Sequence, residues 1–257
     1  MSVSVSVREL IRRVALEYGV VNSWVETRVS PSGAALWGVM CPEPSQQRAL
    51  WTAFRALHGE SGLFPFVSHE GPAAWEWEEL GETERAARTR GAGVGRGIAD
   101  LVNSQGSALT FSQEAEDSLK GENPPHPPPP SWRSNFSSQP EWVCLAEAED
   151  QFQLPLLLDS PFTPNWIDDA GGSLTYEDHA TVLREWNDRH GVDIYYLGSN
   201  ALRLRVSNPP HTPEARMRTA REQYAYCYDL EQVTGMGTVA GVARAQAGAE
   251  FWYFWWD

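Results

Sequence analysis

The stretch Phe251-Trp252-Tyr253-Phe254-Trp255-Trp256-Asp257 decides how the rest of the sequence is read. Laid out as a strand, its six consecutive aromatics put three rings on each side of the backbone, because successive strand side chains point to opposite faces. Each buried ring removes roughly 200 Å² from water, so neither face is expected to stay wet. The segment therefore reads as a central strand covered on both sides, around which the earlier elements close.

Working back from it, Thr238 to Ala247 reads as a weak, alanine-rich helix, and Thr212 as cap with Pro213 behind it opens a longer helix to about Leu230. Residues 192–197 and 201–206 are strands joined by the turn Gly198-Ser199-Asn200. Thr175 with Asp178 starts a helix that carries Ala180, Leu183 and Trp186 and stops at His190-Gly191. Upstream, Ser6 with Glu9 is a capping-box spacing, and Val7, Leu10, Ile11 and Val14 recur at helical intervals up to Gly19. Runs at 20–29 and 34–40 flank Ser30-Pro31-Ser32-Gly33 and read as a hairpin. A second helical pattern at 46–58 follows, then a short strand at 63–67 that Pro65 assigns to a sheet edge.

The fold class expected is α+β, with a mixed or mostly antiparallel sheet and packed helices. Residues 6–67 and 175–257 repeat the order helix-strand-strand-helix-strand, the second with one additional helix, which predicts two related halves. The organisation expected is an N-terminal α+β half over 1–80, a Gly/Pro-rich connector over 81–140 and a C-terminal α+β domain over 141–257. Within the connector, Gly91, Gly93, Gly95 and Gly97 alternate in a spacing that matches no phosphate-binding loop, and the proline run at 124–130 reads as a stiff spacer.

The 257 residues carry 20 basic against 34 acidic side chains, a formal charge of −14, and only Lys120 among the basic ones is a lysine. The acidity is spread at −3, −5 and −6 over residues 1–80, 81–150 and 151–257. Such a field repels nucleic acid and anionic membranes and favours a basic protein partner. Cys41, Cys144 and Cys227 are odd in number and far apart, which suits a reducing compartment. No apolar run approaches a membrane span, so a soluble, cytoplasmic protein is expected.

The combination of Leu183-Arg184-Glu185-Trp186, His190-Gly191, the run 201–206 leading into Asn208-Pro209-Pro210, Glu222-Gln223-Tyr224-Ala225-Tyr226-Cys227 and the aromatic ending resembles a bacterial family catalogued as domain of unknown function 4253. Trp51-Thr52-Ala53-Phe54-Arg55-Ala56-Leu57-His58 with Gly62-Leu63-Phe64-Pro65 is similar to the region preceding that domain in longer members. Tyr228 departs from the pattern, where the resemblance implies proline after the cysteine. No activity comes with this resemblance, which bears on fold and localisation only.

Catalytic constellations are not recognisable. Cys227 sits near a helix C-terminus among tyrosines, where the dipole disfavours a thiolate, and reads as a buried structural cysteine. Six histidines show no metal-ligand spacing, His179 and His190 standing about 16 Å apart on one helix, and no cofactor is called for. Asp168-Asp169 before Gly171-Gly172, with Asp159 nearby, reads as turn-forming and less readily as a hard-cation site. Asn165-Trp166 beside them is a polar and aromatic pairing of the kind that lines pockets, so Asn165, Trp166, Asp168 and Asp257 are the candidate binding residues. The function expected is a non-catalytic binding protein, immunity- or adaptor-like, with an acidic surface that engages a basic partner. A hydrolase with its site near the 159–169 loop, and a structural component of a larger assembly, are the alternatives.

Overall fold

A computed structural model describes residues 3–20, 25–30, 33–75, 94–118, 141–232 and 236–257. Among the described residues, helices α1 (Val3–Glu17), α2 (Pro44–Ser61), α3 (Ile98–Ser104), α4 (Gly106–Ser118), α5 (Leu154–Leu158), α6 (Tyr176–His190), α7 (Pro213–Tyr226) and α8 (Val239–Val242) accompany seven strands. These are β1 (Val25–Val29), β2 (Ala35–Cys41), β3 (Leu63–Ser68), β4 (Glu141–Glu147), β5 (Val192–Gly198), β6 (Ala201–Val206) and β7 (Phe251–Trp255). They hydrogen-bond in the order β1-β2-β4-β3-β5-β6-β7. The pairing is mostly antiparallel, with β3 and β5 parallel at Val67↔Tyr196. The class is α+β, as the sequence predicts.

The chain separates into two compact units, one of residues 1–93, 137–160 and 194–199, the other of 94–136, 161–193 and 200–257. In the first, α2 shows why its sequence folds locally. Pro44 occupies its first turn, where a missing N–H costs nothing, and Leu50, Trp51 and Phe54 share the face that is buried. Gly62, at φ 69°, ends it by returning its N–H to His58 O. Trp51 Nε1 donates to Ile194 O at 3.1 Å, so the indole enters the core without losing its hydrogen bond.

In the second unit, Thr175 accepts from Asp178 N while Asp178 accepts from Thr175 N, which closes a capping box at the start of α6. Gly191, at φ 59°, terminates the helix. Trp186 of α6 stacks on Phe254 at 5.4 Å between centroids and meets Trp252 and Tyr226 edge-on at 5.4 and 5.1 Å. Trp252, Phe254 and Trp256 on one face of β7 are buried, and Tyr253 on the other is nearly so. Interleaved rings at these angles exploit the quadrupole as well as the area.

The aromatic strand is covered on both faces, but it does not lie in the middle of the sheet: β7 is the terminal strand of the described order. The physical reason is that its outer edge is satisfied by side chains. Tyr253 N–H donates to Gln246 Oε1 at 2.9 Å, and Trp255 O accepts from Cys227 Sγ at 3.1 Å. A strand stoppered in this way needs no second neighbour.

The Pro65 strand is the converse case. β3 lies between β4 and β5, and every one of its residues is buried. Its ladder to β5 is registered at Val67, two residues past the ring, so the missing N–H does not force the strand to an edge.

The element order of the two expected halves recurs, but the pairing does not: β4 separates β2 from β3, whereas β7 pairs directly with β6. The stretch expected to be a connector contains α3 and α4. Gly91, Gly93 and the proline run lie outside the described residues. The helix expected to reach Leu230 ends at Tyr226 and is followed by a 3-10 turn over Tyr228–Gln232. After α8, a π-helical turn over Ala243–Ala247 leads to β7.

Candidate functional site

The expected site residues all fall in the second unit, on the loop between α5 and α6 and at the end of β7. Trp166 is buried, and its Nε1 donates to Ala225 O at 3.0 Å, which fixes the loop against the end of α7. Asp168 folds its own loop: Oδ1 accepts from Ala170 N at 2.9 Å and from Gly172 N at 2.7 Å. Its other oxygen accepts from Arg96 Nη1 at 2.7 Å.

Arg96 organises the region. Besides Asp168, it bonds Asp178 through Nε at 3.1 Å, Nη2 at 2.7 Å and its main-chain N–H at 2.6 Å. Its guanidinium also lies 5.1 Å from the centroid of Trp166, within cation–π reach. Burial opposes ionisation of Asp178, but the hydrogen bonds from Arg96 and Thr175 N prevail and hold the carboxyl below its usual range. Asp168 is lowered too, chiefly by the Gly172 N–H. Gly95, next to Arg96, permits this approach: a Cβ there would meet Glu177 O at 2.1 Å.

Asp169 is committed elsewhere. Its carboxylate accepts from Ser107 N, in the first turn of α4, and its own N–H donates to Ser104 O at 2.9 Å. Asp168 and Asp169 therefore do not converge on one point, and among the described residues no group of three or more His, Cys, Asp or Glu is placed to hold a metal ion.

Asn165 is exposed and contributes its main-chain oxygen, which accepts from Tyr228 OH. Tyr228 OH also accepts from Ile167 N at 3.3 Å. Tyr228 therefore helps to hold the loop, beside Trp166 and Arg96. One position on, Asp229 Oδ2 accepts from Asp257 N at 3.2 Å. Burial raises the Asp229 carboxyl and the charge of Asp257 adds to it, while the Asp257 N–H offsets part. The turn over Tyr228–Gln232 links the loop to the end of β7, so all four candidates belong to one connected region, but only Trp166 and Asp168 touch a shared group, Arg96.

Residues 144–257 match the family model for a domain of unknown function, DUF4253. No curated protein and no solved structure matched the chain. The DUF4253 region contains the whole 159–169 loop, the Tyr228–Gln232 turn and β7, whereas Arg96 lies outside it. Sequence reasoning missed Arg96, Tyr228 and Asp229 as contributors. Arg96 is 72 and 82 residues from its partners, and no local spacing signals such a pairing.

The three cysteines and His179 are enclosed. The Cys227 thiol is buried and pushed well above its ordinary pKa by desolvation, as is Cys144, and Cys41 is raised to about 12. His179 is fully buried, meets Tyr226 OH through Nδ1 at 2.5 Å, and has its pKa lowered to about 3 by burial.

Proposed function

We propose that this protein is a non-catalytic, cytoplasmic binding protein of immunity or adaptor type, engaging a basic partner through the 161–169 loop and the Asp229–Asp257 pair. The observation that carries this reading is the pair itself. Asp229 and Asp257 stand together with no cation bonded to either among the described residues, and desolvation already raises Asp229. Asp229 is only 5% accessible, but Asp257 is exposed, so an arginine or lysine from outside would reach the pair through Asp257 and relieve that repulsion. The loop joined to the pair through Tyr228 exposes Phe162 and Ile167, which are 52% and 56% accessible, and such apolar side chains beside charged groups suit a protein interface. The overall charge of −14 would steer a basic partner toward it. No helix among the described residues is long and apolar enough to cross a membrane.

The hydrolase alternative needs a free acid or base near this loop. Asp168 accepts three hydrogen bonds from within the fold, so it is a poor candidate for either role.

The test is capture of partners at low salt with the wild-type chain and with the D229N/D257N and F162S/I167S variants. Captured proteins should be basic as a group, should elute as salt is raised, and should be lost with both variants. Partners without a basic bias, or retained equally by both variants, would overturn the reading.

A further inference from the structure

A second surface, in the first unit, has the opposite charge. A groove of about 1240 Å³ lies between α1 and the β1–β2 hairpin. From α1 it is lined at positions 8, 12 and 16 and at 9, 13 and 17, two adjacent rows that form one broad helix face. From the hairpin, Thr27, Arg28 and Val29 line it in succession. Successive strand side chains point to opposite sides, so three consecutive lining residues mean that the groove borders the edge of β1 as well as one face. That edge is the end of the described sheet, and β1 has no strand on its outer side among the described residues.

The charge of the groove departs from that of the chain. Arg8, Arg12, Arg13 and Arg28 outnumber Glu9 and Glu17, in a protein of net charge −14. Arg8 donates to Thr27 Oγ1 at 3.3 Å, and Arg28 donates to the carbonyls of Ala73 and Trp75. Arg12 and Arg13 have no hydrogen-bond or ion-pair partner among the described residues. Between the charges lie Leu16 and Val29, 58% and 63% accessible. Among the described residues, an open strand edge, unpaired cations at Arg12 and Arg13, and exposed aliphatic side chains along one groove are the complement of an extended chain carrying carboxylates and apolar residues.

We propose that the groove takes an extended acidic segment of a partner protein, which adds as a strand to the outer edge of β1. Its carboxylates reach Arg12 and Arg13, and its apolar side chains cover Leu16 and Val29. This surface is distinct from the Asp229–Asp257 surface, and its test does not depend on that one.

The probe is a fluorescent peptide of alternating Glu and Val, titrated into the full chain at low salt and followed by anisotropy. Saturable binding is expected. It should weaken about fivefold or more in R12Q/R13Q, whose replaced side chains are exposed, with folding checked by circular dichroism. It should be lost when Lys replaces Glu in the peptide, and when alternate peptide nitrogens are methylated, which blocks strand pairing and leaves the protein untouched. Absence of binding, equal binding by R12Q/R13Q, or undiminished binding of the methylated peptide would each overturn the proposal. So would binding of phosphatidylserine vesicles without binding of the peptide, which would make the surface a membrane contact.

Discussion

Replacing Arg96 by methionine should remove the clamp on the 165–178 loop while keeping most of the side chain's bulk. Asp178, with 3% of its side chain accessible, would keep its main-chain partners but lose the guanidinium. Breaking a buried ion pair by removing one partner costs about 3–5 kcal/mol. Arg96 is itself 29% accessible, so solvent already screens the pair, and the expected loss is nearer about 2 kcal/mol at pH 7. For a chain of this size that corresponds to a fall in Tm of about 4–8 °C.

The pH dependence gives a sharper check. The folded pKa of Asp178 lies below its unfolded value of about 3.9, so its contribution is present above that value and is lost as pH falls through the folded one. The difference between R96M and wild type, from urea unfolding, should be full at pH 7 and close below about pH 4. A loss within about 0.5 kcal/mol of zero at neutral pH would show that the Arg96–Asp178 pair does not hold the loop, as would one that persists undiminished in acid.

Gln246→Leu should strand the Tyr253 N–H at the outer edge of β7, costing about 1–3 kcal/mol and raising hydrogen exchange at that amide; unchanged protection there would show that the edge is closed by something else. His179 should contribute an acid-side loss of stability. Its folded pKa of about 3 lies below the unfolded value of about 6.5, so the unfolded chain takes up the proton first. Its share of stability is therefore fully present above pH 6.5 and falls toward pH 3 by at most about 1.4 kcal/mol per unit. Unfolding midpoints of wild type and His179→Gln, compared between pH 7 and 5, should diverge in slope, and parallel slopes would count against the neutral buried ring.

Three of the helix ends were legible because their signals are local, whereas the Ser6–Glu9 capping-box spacing falls inside α1, which starts at Val3. Thr175 with Asp178, Gly191, and Thr212 with Pro213 each act within a turn or less, and the structure has them in those roles. The covering of the 251–256 rings was legible for the same kind of reason, since period-two alternation assigns faces. It does not assign neighbours, and β7 proved terminal because Gln246 and Cys227 stop its edge. Pro65 misled in the other direction: losing one donor constrains one ladder position, whereas the β3 order depends on strands far away in sequence. At the candidate site, the turn chemistry of Asp168 and the burial of Cys227 could be read from their neighbours. The meeting of Trp166, Asp168 and Arg96 could not, because it joins segments whose closeness only the folded chain creates.

The Arg96 clamp also bears on where this molecule can be cut. The DUF4253 match begins at Cys144, halfway along β4, and leaves out α3, α4 and Arg96. A fragment starting there would open on half a strand, with Asp178 deprived of its guanidinium and Asp169 of the helix end it caps. The matched stretch is therefore smaller than the set of residues that hold its 165–178 loop, and a fragment cut at Cys144 should unfold more readily than the whole chain.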